Sequence, residues 1–116
     1  MVGYLVVQQG GPFSSSSFAG PYAYLDFGVA QTIWYIDVGQ MTASGGVISS
    51  WAEYNGDGGF SQGGTITQPI QTNGRGVVDL GTEVGSFAFY LISPSQAVMV
   101  GIDPDEAQFG VLLGQF

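Results

Sequence analysis

The chain breaks into short runs rich in Val, Ile, Tyr, Phe and Trp, each closed by Gly, Pro, Asn or Ser. It carries no apolar stripe of helical period bounded by caps. β-branched and aromatic side chains suit a pleated, half-buried surface, and the closing residues supply the backbone conformations of tight turns. The pattern predicts strands over 2–9, 22–28, 31–41, 46–54, 64–71, 76–80, 86–92, 97–102 and 108–115. The connections between them are short, and Asn73-Gly74 is the strongest hairpin signal because both residues tolerate the positive φ of a type I′ turn.

At 116 residues and 12.1 kDa the chain can bury one core but not two. Strands joined by tight turns pair with their sequence neighbours, and closing the meander removes its exposed edges. The expected fold is therefore all-β, an antiparallel up-and-down meander closed as a small barrel of about eight strands, with an extra N-terminal strand. The expected organisation is an N-terminal strand in 1–9, a Gly/Ser linker in 10–17 and the barrel in 18–116. Residues 3–8 can be laid over 110–115, with Gly, Leu and Gln in common. Either β-strands share a small alphabet, or the chain is cut out of phase from a tandem array and 2–9 is the last strand of a preceding repeat. A strand on a flexible tether can pair within its own barrel or with a neighbouring chain, which makes Tyr4, Leu5, Val6 and Val7 candidate assembly residues.

Charge narrows the partners. One basic residue stands against 9 acidic ones, a formal charge of -8 with a pI near 4.1, and such a surface repels nucleic acid and anionic membrane. Only 9% of residues are charged, where a soluble domain carries about 25%. Ser, Thr, Gln, Asn and Gly must supply the surface polarity instead, a composition of extracellular fibres and adhesive repeats. The absence of cysteine removes disulfides and thiolate chemistry. No run of about 18 apolar residues occurs, and residues 1–9 lack the basic start and cleavage site of a signal peptide.

Catalysis has few instruments. Without His, Cys or Lys, only carboxylates, hydroxyls and Arg75 remain. A glycosidase-like pair would come from Asp26, Asp37, Glu53, Asp57, Asp79, Glu83, Asp103, Asp105 and Glu106, but spacing singles out no two of them. The expectation is a protein that is not an enzyme and holds no cofactor. Asp103, Asp105 and Glu106, and the turn around Asp57, are oxygen-rich enough to be weighed as calcium ligands, although the same residues serve tight turns for backbone reasons. Arg75 is expected near acids in a surface ion pair.

Trp34, Tyr35, Trp51 and Tyr54 fall in one predicted hairpin, where rings on a sheet face can stack a sugar or a small apolar ligand, or simply pack. A turn centred on Ser44-Gly45 sets Trp51 opposite Val38, on the face of Trp34, and a one-residue slip would separate them. Residues 87–92 and 97–102 are apolar throughout, so both faces of these strands call for burial, and self-association is the simplest cover for the outer one.

Gly-Gly-Pro-Phe-Ser at 10–14, residues 18–24, Asn73-Gly74-Arg75-Gly76, residues 87–91 and Ile102-Asp103-Pro104 together resemble the glycine-rich β-barrel repeats of large, apparently secreted bacterial proteins. The resemblance covers most of the chain from Gly10 onward and implies a barrel fold and an extracellular or cell-surface location. It brings no catalytic residues. A longer connection than residues 28–31 allow is expected between the first two strands of such a repeat. The leading expectation is a non-catalytic structural or self-associating module of an extracellular assembly, a homo-oligomer through strand pairing. The alternative is a carbohydrate- or small-ligand-binding barrel.

Overall fold

A computed structural model describes residues 5–30, 33–45, 47–55, 58–80, 85–104 and 106–115. Eight strands form one closed antiparallel barrel in simple sequence order: β1 (Gly20–Ala30), β2 (Ile33–Ser44), β3 (Val47–Asn55), β4 (Gly58–Gln68), β5 (Arg75–Asp79), β6 (Ser86–Ser93), β7 (Gln96–Gly101) and β8 (Glu106–Gly114). The all-β, up-and-down barrel expected from the turn spacing is the fold. Among the described residues no helix is long and apolar enough to cross a membrane.

β1 and β2 pair along their whole length, from Gly20↔Ala43 to Ala30↔Ile33, so the first connection is as tight as the sequence makes it. β8 closes the barrel on the other side of β1, from Tyr22↔Gly114 to Ala30↔Glu106. The β4–β5 ladder is the shortest, running only from Thr65↔Asp79 to Gln68↔Val77 across an irregularity.

Period-two alternation divides the side chains. Tyr22, Tyr24, Met41, Ile48, Leu80, Phe87, Phe89, Met99 and Leu112 point inward and form one core. Several inward positions are glycine because neighbouring groups come too close for a side chain. A Cβ on Gly28 would run into the Ala107 carbonyl, and one on Gly76 would lie 2.5 Å from the Phe89 ring that covers it from the directly paired position.

The segment expected as a linker belongs to the barrel. After a cis Gly11-Pro12 bond, the Phe13 amide donates to the Thr72 carbonyl (3.0 Å), and the Phe13 ring is buried. A short 3-10 turn, Ser15–Ser17, leads to Phe18, whose ring lies 4.9 Å from Tyr22 and 5.0 Å from Phe89. The two phenylalanines plug the end where β1 enters. The serines that suggested flexibility instead bond one another, Ser14 N–H to Ser17 Oγ and Ser14 Oγ with Ser16 Oγ.

The expected N-terminal strand is absent in 5–9, the part of 2–9 that lies within the described residues. One backbone bond, Gln9 N–H to Ile92 O at 2.7 Å, ties it to the barrel, and the Gln8 amide donates to the carbonyls of Asn73 and Leu91. A closed barrel has no strand edge left for this segment to extend.

Candidate functional site

Outward positions on β7, β8, β1 and β2 form a continuous apolar face. One cross-strand row runs Val38, Leu25, Val111, Val98, and the next runs Ile36, Phe27, Phe109, Val100, each residue directly paired with the one before it. Phe27 and Phe109 meet edge to face at 5.7 Å, the geometry that aromatic pairs favour. Trp34, opposite Val29, continues the face toward the connection at 31–32 and is 77% exposed. The sequence pattern foresaw two-sided apolar strands, but placed them on β6 and β7. Among the described residues the apolar face extends across β1 and β2, where inward Asp26 and Asp37 interrupt the apolar runs and conceal it.

The register across β2 and β3 differs from the one the sequence suggested. The β2–β3 turn falls at 45–46, and one extra residue in β3 shifts the register between Thr42↔Ser50 and Ala43↔Ile48. Val38 therefore pairs with Tyr54, while Trp51 pairs with Met41, a member of the buried series of β2. A bulge of one residue exchanges the two faces of a strand. Tyr35 pairs with Gly28. The side chains of Tyr35, Trp51 and Tyr54 lie outside the described residues.

Of the assembly residues, Leu5 and Val7 are exposed at 101% and 78%, and Val6 is exposed beside them. Tyr4 lies outside the described residues. Of the residues weighed for calcium, Asp103 accepts a hydrogen bond from the Ser86 amide at 2.8 Å, while Ile102 N–H donates to Ser86 O. Asp103 thus fastens the β7–β8 connection to the start of β6. Asp105 and the side chain of Glu106 lie outside the described residues. Among the described residues no group of three carboxylates is arranged to hold a metal ion. Among the described residues, Arg75 donates to Gln68 Oε1 at 3.0 Å, a neutral partner.

Spacing singled out no carboxylate pair, but the fold brings one together. Asp26 and Asp37 are direct partners across β1 and β2, both inside the barrel and both buried. Gln108 is buried on the inward series of β8, two pairs along from Asp26's partner Gly110. Each of the three is engaged in an interaction within the molecule. The signal was present in the alternation: Asp26 follows Tyr22 and Tyr24 at period two, and Asp37 precedes Met41 and Ala43 in the same way.

No family model, curated protein or solved structure matches the chain.

Proposed function

We propose that this chain is a non-catalytic structural module that associates with copies of itself, in an extracellular or cell-surface bacterial assembly or repeat protein. The observation that carries this reading is the N-terminal segment. Leu5, Val6 and Val7 are apolar and exposed, and among the described residues their segment is hydrogen-bonded to the barrel through Gln8 and Gln9. Three apolar side chains projected into water are favoured to be covered by another copy, whose own N-terminal segment, lying outside the closed ladder, can pair with this one.

The chemistry of the interior supports a role without catalysis. Asp26 and Asp37 are 3% and 6% exposed, which denies a glycoside the approach that a carboxylate pair requires. The low charge content and the resemblance to glycine-rich barrel repeats support the extracellular setting.

Light scattering over a concentration series, on the full chain and on a version lacking residues 1–9, tests the reading. Association by the full chain that weakens on truncation is the expected result. A full chain that stays monomeric at every concentration overturns it.

One observation favours a second reading, a carbohydrate- or small-ligand-binding barrel. The Trp34 ring is presented to solvent on a sheet face, as a stacking platform requires. Replacing Trp34 with Ala should then abolish oligosaccharide binding, and unchanged affinity would remove this alternative.

A further inference from the structure

We infer that the outer face of β7, β8, β1 and β2 is a contact surface for a second copy of this chain. The inference rests on the self-association reading above but engages a different part of the molecule, away from residues 5–9.

Three observations carry it, and the first is charge. Outward positions 96–100, 107–113, 23–29 and 34–42 on these strands hold no Asp, Glu, Lys or Arg, although the chain as a whole carries a formal charge of -8. Two copies repel one another over most of their surface, and this face lets them meet without opposing carboxylates.

The second is extent. Eight large apolar side chains on or bordering the face, from Tyr90 on β6 to Trp34 on β2, are 41–77% exposed. With about 150–250 Å² for a large side chain, they present on the order of 700 Å². A monomer's largest apolar patch is typically about 300–600 Å², and each partner in a stable complex buries about 800 Å².

The third is self-complementarity. The two rows crossing β2, β1, β8 and β7 are uniformly apolar, so rotating one copy by a half turn lays like against like, as an isologous contact demands. A charged protein partner finds no complementary group there. An anionic bilayer would need basic residues at the rim, and the sole one, Arg75, lies on β5 outside the four strands.

The test measures solution mass by sedimentation over a concentration series for the full chain, Ile36→Glu, Val38→Lys and the version lacking residues 1–9. Ile36 and Val38 are exposed in the single chain, so the charges should leave folding intact, and circular dichroism checks this. A dimer that Ile36→Glu and Val38→Lys each weaken by about 100-fold, and that persists after truncation has removed the further association made by the N-terminal segment, supports the face. Association lost on truncation but kept in both charged variants overturns the face and retains the strand reading. A full chain monomeric throughout overturns both. Because the chain has no cysteine, Phe27→Cys alone should yield disulfide-linked dimers on oxidation and Thr65→Cys on β4 should not, and equal yields would count against the face. Uptake of the monomer onto zwitterionic vesicles, with a blue shift of Trp34 emission, would assign the face to lipid instead.

Discussion

Asp26 and Asp37 sit directly opposite one another in the β1–β2 ladder, and both side chains are sealed inside the barrel. Two carboxylates side by side in a low-dielectric interior oppose folding in any state in which both are ionised. Asp37→Asn keeps the shape and hydrogen-bonding reach of the side chain while removing one ionisable group, so it should stabilise the barrel by about 1–2 kcal/mol near neutral pH. Asp26→Asn should do the same, and the double variant should gain less than the sum, because the second change has no repulsion left to relieve. Thermal and denaturant unfolding of the three variants decide the matter. A loss of stability in both single variants would show that the charges themselves are needed.

Burial in the barrel raises the ionisation of the Tyr22 phenol above its ordinary value of 10.0, while a backbone hydrogen bond from Ala19 acts weakly the other way. Below that value the phenol is protonated in both folded and unfolded chains and has no pH-dependent effect. Above it the unfolded chain releases the proton first, so stability falls as pH rises from about 10 toward the folded-state value. Tyr22→Phe should flatten this alkaline decline, and it also removes the 2.8 Å bond to the Pro94 carbonyl, lowering neutral-pH stability by about 1 kcal/mol. Urea titrations at neutral and strongly alkaline pH would separate the two effects.

Gly28→Ala places a methyl group into the Ala107 carbonyl, backbone that cannot move without parting β1 from β8. The expected penalty is about 3 kcal/mol or more. At Gly45, where φ is +55° but nothing lies near a Cβ, Ala should cost only about 1 kcal/mol through its backbone conformation. Comparing the two midpoints of denaturation tests whether barrel closure or turn conformation carries the greater need for glycine.

Phe13→Ala should destabilise the barrel by about 3–5 kcal/mol, as for other buried phenylalanines. A freely moving tether would make the same substitution nearly silent. The unfolding free energy of this one variant therefore tells plug from linker.

The barrel was legible because turn chemistry and strand composition agreed along most of the chain, as in the runs around Phe87 and Val98. At Asn73-Gly74 the chain does turn, but the bond from Gly74 N–H to the Gln71 carbonyl centres the turn on Thr72-Asn73 in place of the type I′ turn expected there. The first half of β4 was not legible. Gly58, Gly59 and Gly63 read as loop, and only pairing with β3, from Asn55↔Gly58 to Ile48↔Gly64, makes the segment a strand. The extra residue in β3 near Ser49 carries no local signal either, since serine occurs in strands and turns alike, yet it sets the pairing of Trp51 with Met41. In the N-terminal segment, composition misled in two directions. The strand-like Leu5-Val6-Val7 forms no ladder, and the linker-like Gly10–Ser17 stretch is fixed by Phe13 within it and Phe18 just after it, which reach Thr72 and Phe89, more than fifty residues away.

Gln9 bonds to Ile92 and Gly114 bonds to Ser95, so the first and last parts of the described chain meet the same hairpin three residues apart. The order in which the eight strands are synthesised is therefore separable from the order in which they pair. A circular permutant joined from 115 to 5 and opened at the 45–46 turn would keep every ladder of the barrel, with the Phe13 plug then held in the middle of the chain.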